Sequence, residues 1–218
     1  MTASKSQIDL NGGELANLVA SASVINLAST ALGSYELLDG SALNVREGAN
    51  LGPETRFEGD FSVALDGGEI GDFADFSGIE FTMESGKLGF ASRFREGSNA
   101  RISGGLLQNR LRLDPGAILE LVVQDASLDG VAIDFGDFSL IEISERGGEV
   151  LTGYLLDGSA FRLDLRGPQI TDLDGVLAGS TLRLGIPSPA SAGALAIAGL
   201  GVCRRRRPAA ACRRPDGA

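Results

Sequence analysis

The chain has 218 residues and a net charge of −10, with 31 glycines, 43% hydrophobic residues, no histidine and no tryptophan. That apolar share suits a folded core rather than a disordered chain, and the missing histidine excludes Ser-His-Asp and Cys-His catalysis and every imidazole metal ligand. The charge is uneven, −15 over residues 1–203 and +5 over 204–218, with both cysteines, Cys203 and Cys212, near the basic end; the acidic body would repel a phosphate backbone, so no nucleic-acid partner is expected.

Met1 leads almost directly into a short alternating motif, with no basic, apolar signal peptide ahead of it. A natural start further upstream, or an internal start, is therefore expected. The motif then recurs. Copies begin at Ile8, Ile25, Leu43, Val63, Phe81, Ala100 and Leu119, a nearly constant spacing. The pattern is Φ-x-Φ-x-x-G-x-Φ-G, followed by a further apolar point at Leu37, Phe57, Phe76, Phe94 and Leu113. A glycine closes each of these copies, at Gly40, Gly59, Gly78, Gly97 and Gly116.

Period-two alternation predicts strands with one buried face. The regular glycines supply positive-φ corners. No single copy can bury its apolar residues, but stacked copies place Leu on Leu and Phe on Phe. The expected fold is all-β: a parallel β-solenoid of about 17–20 residues per coil over residues 5–129, with coils stacked at about 4.8 Å. An antiparallel sandwich of evenly spaced hairpins is the competing arrangement. The phase kept by the Phe and Gly columns favours the solenoid.

From Gly130 the rhythm lengthens. Strands are predicted at 131–135, 140–143, 150–156, 160–165 and 181–184, with a hairpin turn at Asp157-Gly158 and another turn at Gly147-Gly148. The stretch 167–179, with Pro168, Asp172, Asp174 and Gly175, reads as loop. Residues 130–185 are expected to form an antiparallel β cap over the open end of the stack.

Ile186-Pro187-Ser188-Pro189 opens the tail; residues 190–202 carry no charge, and Cys203 precedes Arg204, Arg205, Arg206 and Arg207. Two prolines would end the fold, an Ala/Gly/Leu helix would follow, and the arginines would stop it. The stretch 186–203 is at the short limit of a membrane span, and the positive-inside rule keeps the arginines cytoplasmic. A floppy, alanine-rich cationic tail is the competing reading. This order of features resembles the PEP-CTERM sorting signal of exported bacterial proteins, with Ser188 where that family usually has Glu. The resemblance implies export, transient anchoring through residues 186–207, and processing by an exosortase-like membrane enzyme. Residues 208–218 are expected to be a disordered tail. The repeats and the hairpin before the tail resemble the β-solenoid bodies of some proteins bearing this signal.

Chemistry in the body would rest on carboxylates. Asp72 and Asp75 lie close in sequence, as do Asp134 and Asp137. With Arg93 they could act on an acidic polysaccharide if they shared a cleft. Aspartate beside glycine also has a plain turn-forming role, and no column repeats Asp, Lys and Arg together. The stretch from Gly67 to Asp72 only approaches a calcium-binding repeat, and no P-loop occurs. Gly12-Gly13 and Gly104-Gly105 read as corners. The expectation is a non-enzymatic, exported structural protein of the cell surface or extracellular matrix, with no cofactor and no metal. A polysaccharide-binding or polysaccharide-cleaving β-helix protein is the alternative, and extracellular polysaccharide the expected partner besides the membrane and the processing enzyme.

Overall fold

The structure is a computed structural model that describes residues 2–4, 6–37, 40–108, 110–136, 139–144, 147–166, 175–176 and 179–187. The body ends at Ile186. Beyond it only Pro187 is described, and it is exposed. Ser188, Pro189, the expected apolar helix and Arg204–Arg207 therefore lie outside the described residues. Among the described residues every regular element is a strand.

The repeats form a parallel β-solenoid with three columns of strands. In the first column, Ala42–Arg46, Ser62–Asp66, Glu80–Met83, Asn99–Ile102 and the start of Ile118–Leu128 pair in parallel. The register joins Ile8 to Ile25, Leu43, Val63, Phe81, Ala100 and Leu119, the same residues that open each copy of the motif. All of them are buried. In the second column Leu32, Leu51, Ile70, Leu88 and Leu107 stack inward. In the third, a separate five-stranded sheet, Phe57, Phe76, Phe94 and Leu113 are in register. Their rings lie nearly parallel, Phe57 on Phe76 at 4.8 Å and Phe76 on Phe94 at 4.6 Å between centroids, and Phe81 of the first column tilts against the last two. Stacked aromatic contacts of this kind add about 0.5–1.5 kcal/mol beyond the area they bury.

Two of the corners use different chemistry. Between the third and first columns, Gly40, Gly59, Gly78, Gly97 and Gly116 all have positive φ, as expected from their spacing. Between the second and third columns the left-handed residues are not glycines but Glu54, Phe73, Ala91 and Arg110. Gly71 and Gly89, at that same corner, have ordinary φ. Their role is close approach: a Cβ on Gly89 would lie 2.4 Å from the carbonyl carbon of Gly71, and one on Gly71 would lie 2.7 Å from that of Gly52. Buried Ser92 and Thr55 fasten this corner by donating to the carbonyls of Gly89 and Gly52.

After Val122 the chain leaves the stack. Ile118–Leu128 runs on as one long strand that ends just before the expected boundary at 129/130, and its distal part, from Val123, already pairs antiparallel with Gly147–Leu155. Gly147–Leu155 in turn pairs antiparallel with Ala160–Arg166. The Asp157-Gly158 hairpin is therefore present. Gly147-Gly148, expected as a turn, instead begins a strand.

The chain then returns. Gly175–Val176, within the stretch expected as loop, adds a parallel rung to the third column beside Arg112 and Leu113. Thr181–Gly185, expected in an antiparallel cap, runs parallel to Ile118–Leu128 and sets Leu182 on Leu119 and Leu184 on Leu121. Among the described residues only Leu140–Ile143 lies antiparallel on that last rung and covers it. The cap is thus a mixture: an inserted hairpin, a covering strand and a final solenoid coil. The physical reason is burial. Leu182, Leu184 and Val176 are fully buried because they continue the existing apolar columns.

Candidate functional site

Outward-facing charges on the columns are tied across neighbouring coils. On the third column Asp75 is in register with Arg56 and Arg93. Its carboxylate is held by Arg95, whose Nε donates at 2.6 Å and whose Nη2 donates a second bond. Asp75 holds the Arg95 guanidinium above its ordinary range. Arg93 turns to Asp114, donating from Nε at 2.7 Å, and Arg112 donates to the other oxygen of Asp114 at 2.8 Å. On the second column Lys87 meets Glu69 at 2.5 Å, which raises the lysine's proton affinity.

The first column carries two further ladders. Asn44 donates to Asn26 at 2.7 Å, and Asn26 donates to Asp9 at 2.6 Å. That bond, with one from Gln7, holds the Asp9 carboxyl below its ordinary range. At the other end, Arg101, Glu120, Arg183 and Glu142 occupy successive rungs with alternating charge. Arg101 contacts Glu120 at 3.2 Å and Arg183 contacts Glu142 at 3.7 Å.

The candidate carboxylates do not converge. Asp72 accepts from the backbone N–H of Phe90 at 2.8 Å and so fastens a corner, while Asp75 is on the strand beyond it. Asp75 and Arg93 share a face, but their side chains take different partners. Asp134 accepts from Gly136 N–H at 2.9 Å, the local turn role. Asp137 lies outside the described residues. Gly12, Gly13 and Gly105 are left-handed corners, and Gly104 is not. Among the described residues no three Asp, Glu, Cys or His side chains are grouped to hold a metal ion.

A cleft of about 450 Å³ opens where the inserted hairpin meets the stack, lined by Thr82, Glu84, Arg101, Ser103, Leu156 and Asp157 over Met83 and Val122. Asp157 builds it. Its Oδ2 accepts from Gly105 N–H at 2.7 Å, 52 residues away, and from the Ser159 hydroxyl at 2.8 Å, while Oδ1 accepts from Ser159 N–H at 2.9 Å. Desolvation at the docked tip pushes this carboxyl up, but the donors of Ser159 and Gly105 outweigh it, and the group is held below its ordinary value of 3.8. Gly104 makes the room, because a Cβ there would lie 2.3 Å from the Glu84 carbonyl oxygen and 2.7 Å from Asp157 Oδ2.

Sequence reasoning missed this cleft, which joins segments far apart in the chain. The inter-coil ion pairs did leave a signal: opposite charges one coil apart, as in Glu69 and Lys87 or Arg101 and Glu120. No family model, curated protein or solved structure matches the chain. The class of protein is therefore defined by its own architecture, an all-β parallel solenoid closed by an inserted antiparallel hairpin.

Proposed function

We propose that this chain is an exported, non-enzymatic structural protein of the cell surface or extracellular matrix, built as a stiff acidic solenoid. Its tail carries the localisation. Pro187, Ser188 and Pro189 form the PEP-CTERM-like sorting motif, residues 190–202 supply an uncharged, apolar anchor, and Arg204, Arg205, Arg206 and Arg207 hold its end on the cytoplasmic side. An exosortase-like membrane enzyme processes the tail, and the body is deposited outside.

The observation that carries the structural role is the use of the outer carboxylates. Asp75, Asp114, Glu69 and Glu120 are each committed to an arginine or lysine of the same or a neighbouring coil. Exposed ion pairs contribute little singly, roughly 0–1 kcal/mol each. Repeated along a stack, they fix register and stiffen the faces. The remaining negative charge keeps neighbouring bodies apart.

The test is fractionation of a bacterium that has its own exosortase-type sorting system. The full chain, fused behind that host's secretory signal, is expected in the membrane fraction and then outside the cell. The same fusion ending at Gly185 is expected to be released without membrane association. Equal membrane association of the two would overturn the tail assignment.

A further inference from the structure

Thr82 and Glu84 are exposed on neighbouring positions of the cleft wall, and neither side chain has a partner among the described residues. Arg101 spends its Nε on Glu120, which leaves its terminal nitrogens as donors. Ser103 donates to the Met83 carbonyl and keeps its oxygen as an acceptor. Opposite them stands Leu156, 44% exposed, on the hairpin. One wall therefore offers a free carboxylate, two hydroxyls and a guanidinium, and the other an apolar platform.

That combination matches one ligand chemistry. A pyranose ring has a rim of hydroxyls that both donate and accept, and a C–H face that packs on apolar side chains. A cleft of about 450 Å³ falls within the range of small-molecule sites. Charge narrows the class. Glu84 and Asp157 are both acidic, and Arg101 is already balanced by Glu120. An anionic sugar would meet net repulsion.

We propose that the cleft between the coil corner at 103–105 and the hairpin tip at 156–159 binds a neutral mono- or disaccharide unit, with Glu84 accepting from its hydroxyls, Arg101 and Thr82 donating to them, and Leu156 under its C–H face. The site lies on the outward side of the first column, beside the docked hairpin, so a bound glycan chain would run along that face and leave the second and third columns uncovered. This inference rests on the cleft and not on export. The fractionation experiment and the binding experiment can therefore fail independently.

The test is a titration of the full ¹⁵N-labelled chain, followed by two-dimensional NMR. The probes are a panel of gluco-, galacto-, manno- and N-acetylated disaccharides, with digalacturonate as the anionic member. At least one neutral probe is expected to give saturable shifts at the amides of Glu84, Ser103, Gly105 and Asp157, with a Kd on the order of 1 mM or below. Glu84→Ala and Thr82→Ala remove exposed, unpartnered groups, so their spectra should otherwise match the parent, and each should weaken binding by about tenfold. No shift with any neutral probe overturns the proposal. Shifts centred on the third column, or tighter binding of digalacturonate than of every neutral probe, overturn it as well.

Discussion

At the corner between the second and third columns, Ala91 takes a φ of 55° while Gly89, two residues earlier, has an ordinary φ. The usual roles of the two residue types are exchanged there. Gly89 is required by space, because its missing Cβ would sit 2.4 Å from backbone of the coil below. Ala91 bears the left-handed conformation that glycine normally takes, and Phe73 and Arg110 do the same in adjacent coils. These corner residues also touch one another: Phe73 meets Phe90 edge-on at 5.9 Å, and Arg110 lies 5.3 Å over the Phe90 ring. Opposite substitutions should therefore have unequal effects. Gly89→Ala is expected to cost about 3 kcal/mol, since backbone cannot move aside as a flexible side chain can. Ala91→Gly is expected to change stability by less than about 1 kcal/mol, because relief of the left-handed penalty offsets the greater entropy of the unfolded chain. Urea unfolding of the two variants checks both. Equal losses would mean that the two positions are constrained alike.

The inserted hairpin is the element on which the end of the stack depends. Its strands were legible from alternation and from Asp157-Gly158, but its docking was not. Asp157 is a turn residue by every local criterion, and nothing near it in sequence points to Gly105 as its partner. The acid sensitivity of this element follows from that contact. The Asp157 carboxyl is lowered in the folded state, so its contribution is fully present above the unfolded value, near 4, and is lost as pH falls through the lower folded value. Asp157→Asn keeps the shape and removes the titration. The wild type should exceed this variant in urea midpoint at neutral pH, and the difference should shrink toward zero as the pH falls below the lowered folded value. Glu84 and Arg101 also face the cleft, and both are unchanged in the comparison. A pH-independent difference would show that the carboxylate's charge contributes nothing.

For the whole molecule, the repeat makes coils interchangeable. Residues 62–79 hold one rung of each column: Val63 between Leu43 and Phe81, Ile70 between Leu51 and Leu88, and Phe76 between Phe57 and Phe94. Deleting 62–79 joins Phe61 to Glu80 with every column still in phase. That variant is expected to fold cooperatively, about 4.8 Å shorter by small-angle scattering, with a lower urea midpoint. Deleting only 62–70 removes two rungs of three and should unfold the body. Folding of both deletions, or of neither, would contradict column stacking. The seven rungs from Ile8 to Leu119 were legible because each inward position stays apolar at a nearly constant spacing. The next rung, Leu182, was hidden because its register partner Leu119 lies on the far side of the whole inserted hairpin, several coil lengths back along the chain. Val176 was hidden among Pro168, Asp172, Asp174 and Gly175, residues that locally favour a loop. The cleft was illegible for a related reason: Glu84 and Asp157 meet only after the hairpin has docked.

That long return also divides the molecule in time. Early coils close through loops one coil long, such as Gln7 to Val24 and Glu80 to Asn99, and each closes on a template already in place. The last rung must wait for the hairpin between Ile118 and Thr181 to form and dock, at a greater loop-closure cost. The expected order of assembly is thus zipper first, clasp last. Contacts made after the transition state govern how fast a protein comes apart rather than how fast it forms. The lifetime of the folded body is accordingly expected to follow its least repetitive part, the excursion that leaves the stack at Val122 and returns at Gly175.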